Sequence, residues 1–181
     1  MSTQKTVLQR FGTVEDNELR LDTDRAEQIV EALNTDIASL YVLYHQLKKH
    51  HWNVSGAEFR DIHLFLDEAA ESAEDGIDEL AERTGAIGGT PIAGAKAAEE
   101  YAPVEPENQD VYDVRTSLAN DLAMYGDIIE SLRDHIELVT KFGDHATAEL
   151  LRGVLIDLEE DAHHIEHYLE GDTLVTENSM R

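Results

Sequence analysis

Residues 51–82 read HWNVSGAEFRDIHLFLDEAAESAEDGIDELAE, and the spacing within them decides how the chain folds. Apolar or small residues recur at Phe59, Ile62, Leu66, Ala69, Ala73, Ile77, Leu80 and Thr84. These are the three- and four-residue steps of one helical face. At about 100° per residue, His63, Asp67, Glu71, Glu74, Asp78 and Glu82 make a second stripe beside it, about 100° wide. The predicted helix carries a core face and a histidine-acid face. Leu64 and Phe65 lie off the main apolar stripe, which predicts burial on more than one face. An acidic stripe is usually a solvated surface. This one has almost no Lys or Arg to offset repulsion between acids four residues apart. A buried cluster of that kind needs a metal ion or protons. Imidazole with carboxylate is the ligand set of open non-haem iron sites.

Three more long helices surround this one. The first is predicted to start near Asp24, with Glu27 as a capping-box variant. Its stripe runs Ile29, Leu33, Ile37, Leu40, Tyr44, Leu47, His51, so His51 ends a core-facing row. The second, the helix already described, starts after Ser55, with Glu58 completing an S-x-x-E box, and stops around Gly85. Residues 85–109, rich in Gly, Ala and Pro, read as a long crossover with a short helix around 93–100. The third stripe is Val111, Val114, Leu118, Leu122, Tyr125, Ile129, Leu132, Ile136, Val139, and Gly143 caps its end. Asp144 caps the fourth, whose stripe is Leu151, Val154 or Leu155, Leu158, Ala162, Ile165 and Leu169; Gly171 ends it.

Short turns make the first and second helices antiparallel neighbours, and likewise the third and fourth. One long connection separates the pairs. That is an all-α four-helix bundle with a single crossover, the ferritin-like topology. The expected division is an N-terminal arm over 1–22, the bundle domain over 23–171 and a polar tail over 172–181.

A chain of 181 residues is long enough for one domain with a full core. It has no cysteine, which excludes disulfides, thiolate metal sites and a cysteine nucleophile. It lacks the run of about 18 apolar residues that spans a membrane. The opening MSTQKTVLQRFG has no apolar signal region. A cytoplasmic placement is expected, with nucleoid association as an option. The formal net charge of −25 opposes direct nucleic-acid binding and attracts cations. Five of the fourteen basic residues are Lys, and acid excess with few Lys resembles proteins of high-salt cytoplasms.

HHWNVSGAEFRDIHLFLDE, followed by IDELAER and GAIGG, resembles the Dps family, the mini-ferritins of starved or stressed prokaryotic cells. The later GDHATAELL and LEEDAHHIEHYLE resemble that family's last helix. The match spans roughly residues 24–170. The resemblance implies a hollow homododecamer with two-iron ferroxidase sites at two-fold interfaces. It assigns His51, His63 and Asp67 to one subunit, and Asp78 and Glu82 to its partner. Geometry agrees in one respect: Asp67 and Asp78 stand about 16 Å apart along one helix, too far to share a metal within one chain. The implied reaction oxidises Fe(II) to Fe(III) with hydrogen peroxide, or more slowly dioxygen, and stores ferric oxyhydroxide in the cavity, protecting DNA from oxidative damage. No organic cofactor is expected.

The same resemblance sets Trp52 near the iron as an electron donor; its residue type alone suggests core or interface mass. Glu68, Glu71, Glu74 and Asp75 read as mineral-nucleation ligands or as solvated charge. Glu149, with Asp157 about two turns on, is assigned to a three-fold entry pore. His163, His164 and His167 suggest a secondary metal site, or a histidine-rich end stabilised by the helix dipole. Direct DNA binding is not expected, because the arm sets Lys5, Arg10 and Arg20 against Glu15, Asp16 and Glu18.

Two other readings compete. A within-bundle di-iron oxidase needs Glu-x-x-His on two helices, and the chain has one, Glu160 to His163. A shell-forming structural protein without iron chemistry would have no need of the five-ligand set.

Overall fold

The computed structural model describes residues 6–170. Its elements are α1 (Thr23–Asn53), α2 (Phe59–Ala86), α3 (Ala95–Tyr101), α4 (Val114–Lys141) and α5 (His145–Leu169). No strand occurs among the described residues. α1 packs on α2, α3 and α4, and α5 packs on α4 and α2, while the backbones of the diagonal pairs stay apart. The four long helices thus form a square, with α3 lying outside against α1.

Contacts at the two ends fix the directions. Arg25, at the start of α1, donates to the carbonyl of Phe142, just past the end of α4. Arg115, at the start of α4, donates to the carbonyl of Leu169, the last residue of α5. α1 and α4 are therefore antiparallel, and residues 87–113 must climb the length of the bundle. That climb is why one connection is long and two are short.

The local chemistry explains most boundaries. Asp144 caps α5 by accepting from the Thr147 amide, and Gly143 takes φ +78° in the turn before it. Arg83, near the end of α2, donates to both carboxylate oxygens of Asp144 at 2.8 and 2.9 Å and to Thr147 Oγ1 at 2.8 Å. Burial pushes the Asp144 carboxyl up, but the Thr147 and Arg83 bonds outweigh it and the pKa is lowered. One capping residue thereby joins two helices.

Three expected boundaries differ. α1 is capped by Asp22, which accepts from the Arg25 amide, and not by an Asp24–Glu27 box. α2 starts at Phe59 behind Glu58 with no side-chain cap bond, so Ser55 is not its cap. α4 starts at Val114 behind Asp113, leaving Val111 exposed in the crossover. At α1 and α4 an aspartate just before the helix accepts from a first-turn amide, whereas Glu58 stands before α2 without such a bond. Gly171 and the polar tail lie outside the described residues.

α1 is buried on nearly all sides because three helices cover it; Ile29, Leu33, Ile37, Leu40, Leu43 and Leu47 are all fully buried. α2 buries Ile62, Leu66, Ala69, Ala73, Ile77, Leu80 and Thr84, as its stripe predicts, whereas Phe59 and Leu64 are exposed. Gly76 lets Leu40 and Val154 approach; a Cβ there would lie 3.3 Å from Leu40 Cδ1. The meeting of α1, α2 and α5 is therefore apolar.

The arm lies on the crossover. The Glu15 amide donates to the Gly88 carbonyl at 2.9 Å, and Gln9 Nε2 donates to the same oxygen at 2.8 Å. Gly88 has φ +91°, and a Cβ there would meet the Glu15 carbonyl oxygen at 2.1 Å, so only glycine permits this contact.

A buried ion pair joins α1 to α4. His135 Nδ1 donates to Asp36, whose oxygens lie 2.8 and 2.9 Å away; Asp36 is fully buried. Burial alone would lower the His135 pKa, but the Asp36 bond and charge raise it overall. A raised folded-state pKa gives stability that is full below the unfolded value of about 6.5 and fades as pH rises through the folded value. The stability gap between wild type and His135→Gln, read from urea midpoints, should therefore shrink from acidic to alkaline pH. A constant gap would mean that His135 does not act as a cation.

Candidate metal centre

His51 lies in the last turn of α1, and His63 sits in the second turn of α2, across the short turn that joins them. Their rings stack with centroids 3.8 Å apart and planes 18° from parallel. His51 Nδ1 donates to the His63 carbonyl at 2.8 Å, and His63 Nδ1 donates to the His51 carbonyl at 2.9 Å. A carbonyl oxygen only accepts, so both Nδ1 atoms hold the proton. A neutral ring in this tautomer offers a free Nε2 lone pair, the form in which imidazole ligates a metal. The reciprocal bonds set both tautomers and both ring orientations before any ion arrives.

Asp67 joins them one helical turn after His63. Its Oδ1 lies 3.7 Å from His51 Nε2 and accepts from Lys48 Nζ at 2.6 Å. The Lys48 hydrogen bond holds the Asp67 carboxyl below the usual carboxylate range, and Asp67 in turn raises the Lys48 pKa. Asp67 therefore stays ionised, and Lys48 supplies a positive charge where a cation would bind. Lys48 is a residue that sequence reasoning missed. Its signal was present, since it precedes His51 by three residues on α1 and so shares its face.

Asp78 and Glu82 lie further along α2, exposed, about 16 and 22 Å from Asp67 at 1.5 Å per residue. One chain does not bring them to the histidines, and among the described residues no three His, Asp or Glu side chains converge as a metal-binding group. Trp52 is 71% exposed beside His51, so within the chain it is not core mass. Glu74 and Asp75 line a surface groove with Tyr41, Tyr44 and Asp78. Glu71 is exposed, and its charge contributes to the raised Lys48 pKa. Glu68 lies in a separate cleft between α2 and α5.

Glu149 is exposed and 3.8 Å from Arg152, so it is not an isolated acid; Asp157 is exposed on the same helix. Glu160 and His163, the chain's one Glu-x-x-His, are both exposed on α5, away from the apolar meeting of α1, α2 and α5. His164 makes an edge contact with Phe65 of α2, at 5.9 Å between ring centres.

A buried polar network stands behind His51. Its neighbour His50 donates from Nδ1 to Asp121 at 2.7 Å and contacts Glu107 through Nε2. Gln46 Nε2 donates to Asp121 at 2.9 Å, and Lys49 and Asn120 donate to Glu107 at 2.8 and 2.7 Å. Burial alone would lower His50, but Asp121 and Glu107 raise it overall. The network ties the end of α1 to α4 and to the crossover, and so steadies the turn that carries His51. Sequence reasoning missed it as well. The signal was Asp121 standing in the apolar row of α4, three residues after Leu118 and four before Tyr125.

The Ferritin-like domain family model matches residues 30–175. The DNA protection during starvation protein of Halobacterium salinarum is 64% identical over 181 residues, covering 99% of this chain and 100% of that protein. The crystal structure of an archaeal Dps homologue from that organism superposes with a TM-score of 0.93 over 98% of this chain and 99% of the other. The nutrient stress-induced DNA-binding protein of a Synechococcus species is 40% identical, covering 95% of this chain and 98% of that protein. A Dps protein from Vibrio cholerae, a member of a broad superfamily of ferritin-like diiron-carboxylate proteins, is 27% identical with a TM-score of 0.81, over 86% and 97%. With a single-crossover bundle and a paired-histidine site at one end, the chain belongs to the Dps branch of the ferritin-like family.

Proposed function

We propose that twelve copies of this chain form a hollow shell that oxidises and stores iron. Two antiparallel α2 helices at a two-fold interface would bring Asp78 and Glu82 of one subunit to His51, His63 and Asp67 of the other, twice by symmetry. The observation that carries the reading is the reciprocal His51–His63 bonding, which leaves two Nε2 lone pairs side by side next to an ionised Asp67. The exposed Trp52 beside His51 supports a covering partner surface.

The chemistry is a balanced exchange in which ferrous iron is the substrate. Two Fe(II) ions and one hydrogen peroxide, with two waters, give two FeO(OH) units and four protons. The peroxide O–O bond breaks by accepting one electron from each iron. Imidazoles and carboxylates position the two ions as a pair, so that peroxide takes both electrons and no hydroxyl radical is released. Lys48 must yield Asp67 to the arriving cation, an exchange of one positive partner for another. Glu68, Glu71, Glu74 and Asp75 would seed the mineral, and Glu149 and Asp157 would line its entry.

Relatives are named for DNA protection and DNA binding. At a net charge of −25, this chain would protect DNA by removing iron and peroxide rather than by coating it. No helix among the described residues is long and apolar enough to cross a membrane, which suits a cytoplasmic shell.

The test couples size to iron. Purified protein in molar KCl is loaded with Fe(II) without oxygen, given peroxide, and run through size exclusion with protein and ferric iron followed together. Ferric iron co-eluting with a dodecamer-sized particle is expected. A large particle without iron would sink the ferroxidase assignment, and a small oligomer that oxidises iron would sink the shell.

A further inference from the structure

The α5 histidines stand apart from the proposed ferroxidase site. His63 faces α1, whereas Phe65, two residues on, faces α5, where it meets His164 and Tyr168. The two groups of histidines therefore lie on opposite flanks of the first turns of α2. On α5, His163 Nε2 and His167 Nε2 face each other at 3.1 Å, with ring centres 4.3 Å apart. Both residues are exposed, so neither ring is forced into place by burial.

The opposite edge of each ring faces a carboxylate at ion-pair distance, without a hydrogen bond. His163 Nδ1 lies 3.6 Å from Glu166, and His167 Nδ1 lies 3.2 Å from Glu170. A carboxylate favours the proton on the Nδ1 it faces. The 3.1 Å separation is that of an N–H···N hydrogen bond between the two rings, and the same two Nε2 atoms can converge on one ion when both rings carry the proton on Nδ1. Carboxylate–histidine–metal relays show this polarity, with the outer acid fixing the tautomer and raising the basicity of the inner nitrogen.

The separation also fits a metal. Nitrogens at about 2.05 Å from one ion and 3.1 Å from each other subtend an angle of about 98°, between the octahedral and tetrahedral values. Glu160 falls within about 60° of both histidines around the helix, one turn before His163. His167 also lines the α2–α5 cleft, together with His164, Asp61 and Glu68. Among the described residues no third ligand already converges, so the two imidazoles are the anchoring pair.

We infer that His163 and His167 form a second metal site at the end of α5, specific for an imidazole-seeking divalent ion of the zinc class and separate from iron oxidation. Water and Glu160 complete its coordination. Fe(II) binds it more weakly than Zn(II), as expected for a nitrogen-rich site. The chain's solitary Glu-x-x-His motif thus serves this external clamp instead of a bundle interior.

The test is Zn(II) titration of the assembled, metal-free full-length protein in molar KCl, in competition with a chromophoric chelator. Wild type is compared with His163→Gln/His167→Gln and with His51→Gln/His63→Gln, with size exclusion and circular dichroism confirming assembly. The first variant is expected to lose one tight zinc equivalent per subunit, with an affinity about 100-fold lower at that site. The second is expected to keep that equivalent. Glu166→Gln/Glu170→Gln should weaken the site by about 10-fold while leaving its stoichiometry intact. An unchanged isotherm for His163→Gln/His167→Gln would overturn the assignment, and so would loss of the same equivalent in His51→Gln/His63→Gln.

Discussion

Replacing His63 and Asp67 together by alanine is expected to slow peroxide-driven Fe(II) oxidation by at least about 100-fold in the assembled protein, since altering even an outer-shell partner costs 10–100-fold. The structure supplies two reasons for so large an effect. His63 provides one of two stacked imidazoles, and its carbonyl also holds the His51 Nδ1 proton. Its own Nδ1 binds the His51 carbonyl, so losing the ring frees one side of the clasp. Asp67 is the carboxylate beside these rings among the described residues and is held ionised by Lys48. The double variant therefore removes a nitrogen, a charge and the ring that stacks on His51, while the backbone carbonyl of residue 63 still accepts from His51 Nδ1. Stopped-flow absorbance of the ferric product gives the rate, and size exclusion verifies that the shell persists. An unchanged rate in an intact shell would remove His63 and Asp67 from the reaction.

The second large effect concerns stability. Asp121→Ala should cost about 3–5 kcal/mol, because it strips the partner from buried charge in the His50 network. Asp121 is fully buried and accepts from both Gln46 and His50. Without it Gln46 Nε2 has no acceptor and His50, whose pKa the pair raises, keeps only Glu107. For a chain of this size the thermal midpoint should fall by roughly 10 °C. The loss should persist in molar salt, since buried pairs are screened far less than surface charge. A loss that vanished in high salt would show that the pair is solvated. Because His50 precedes His51, a rescued fold with a displaced α1 terminus should also bind metal less tightly.

Much of this was legible in the sequence because it rests on short-range regularity. The apolar rows of α1, α2, α4 and α5, the Gly143–Asp144 punctuation and the long crossover follow from helical periodicity and turn chemistry. Helix starts were misread by one to three residues where several acids competed for the cap, as at Asp22 against Asp24. The separation of Asp67 from Asp78 was equally readable, since a rigid helix fixes distance along its axis. What the sequence could not state is which polar residue of one helix meets which of another. Lys48 on Asp67, Asp36 on His135, and His50 between Asp121 and Glu107 all join residues far apart in the chain. Only packing brings them together, and only then do their charges acquire partners. The tautomers of His51 and His63 were also decided there, by two backbone carbonyls that face the rings because α1 and α2 turn back on each other. The sequence alone determined the helices, their faces and the residue types available for metal. The tertiary structure decided which nitrogen lone pairs are free to bind it, because hydrogen bonds between helices set where the protons sit.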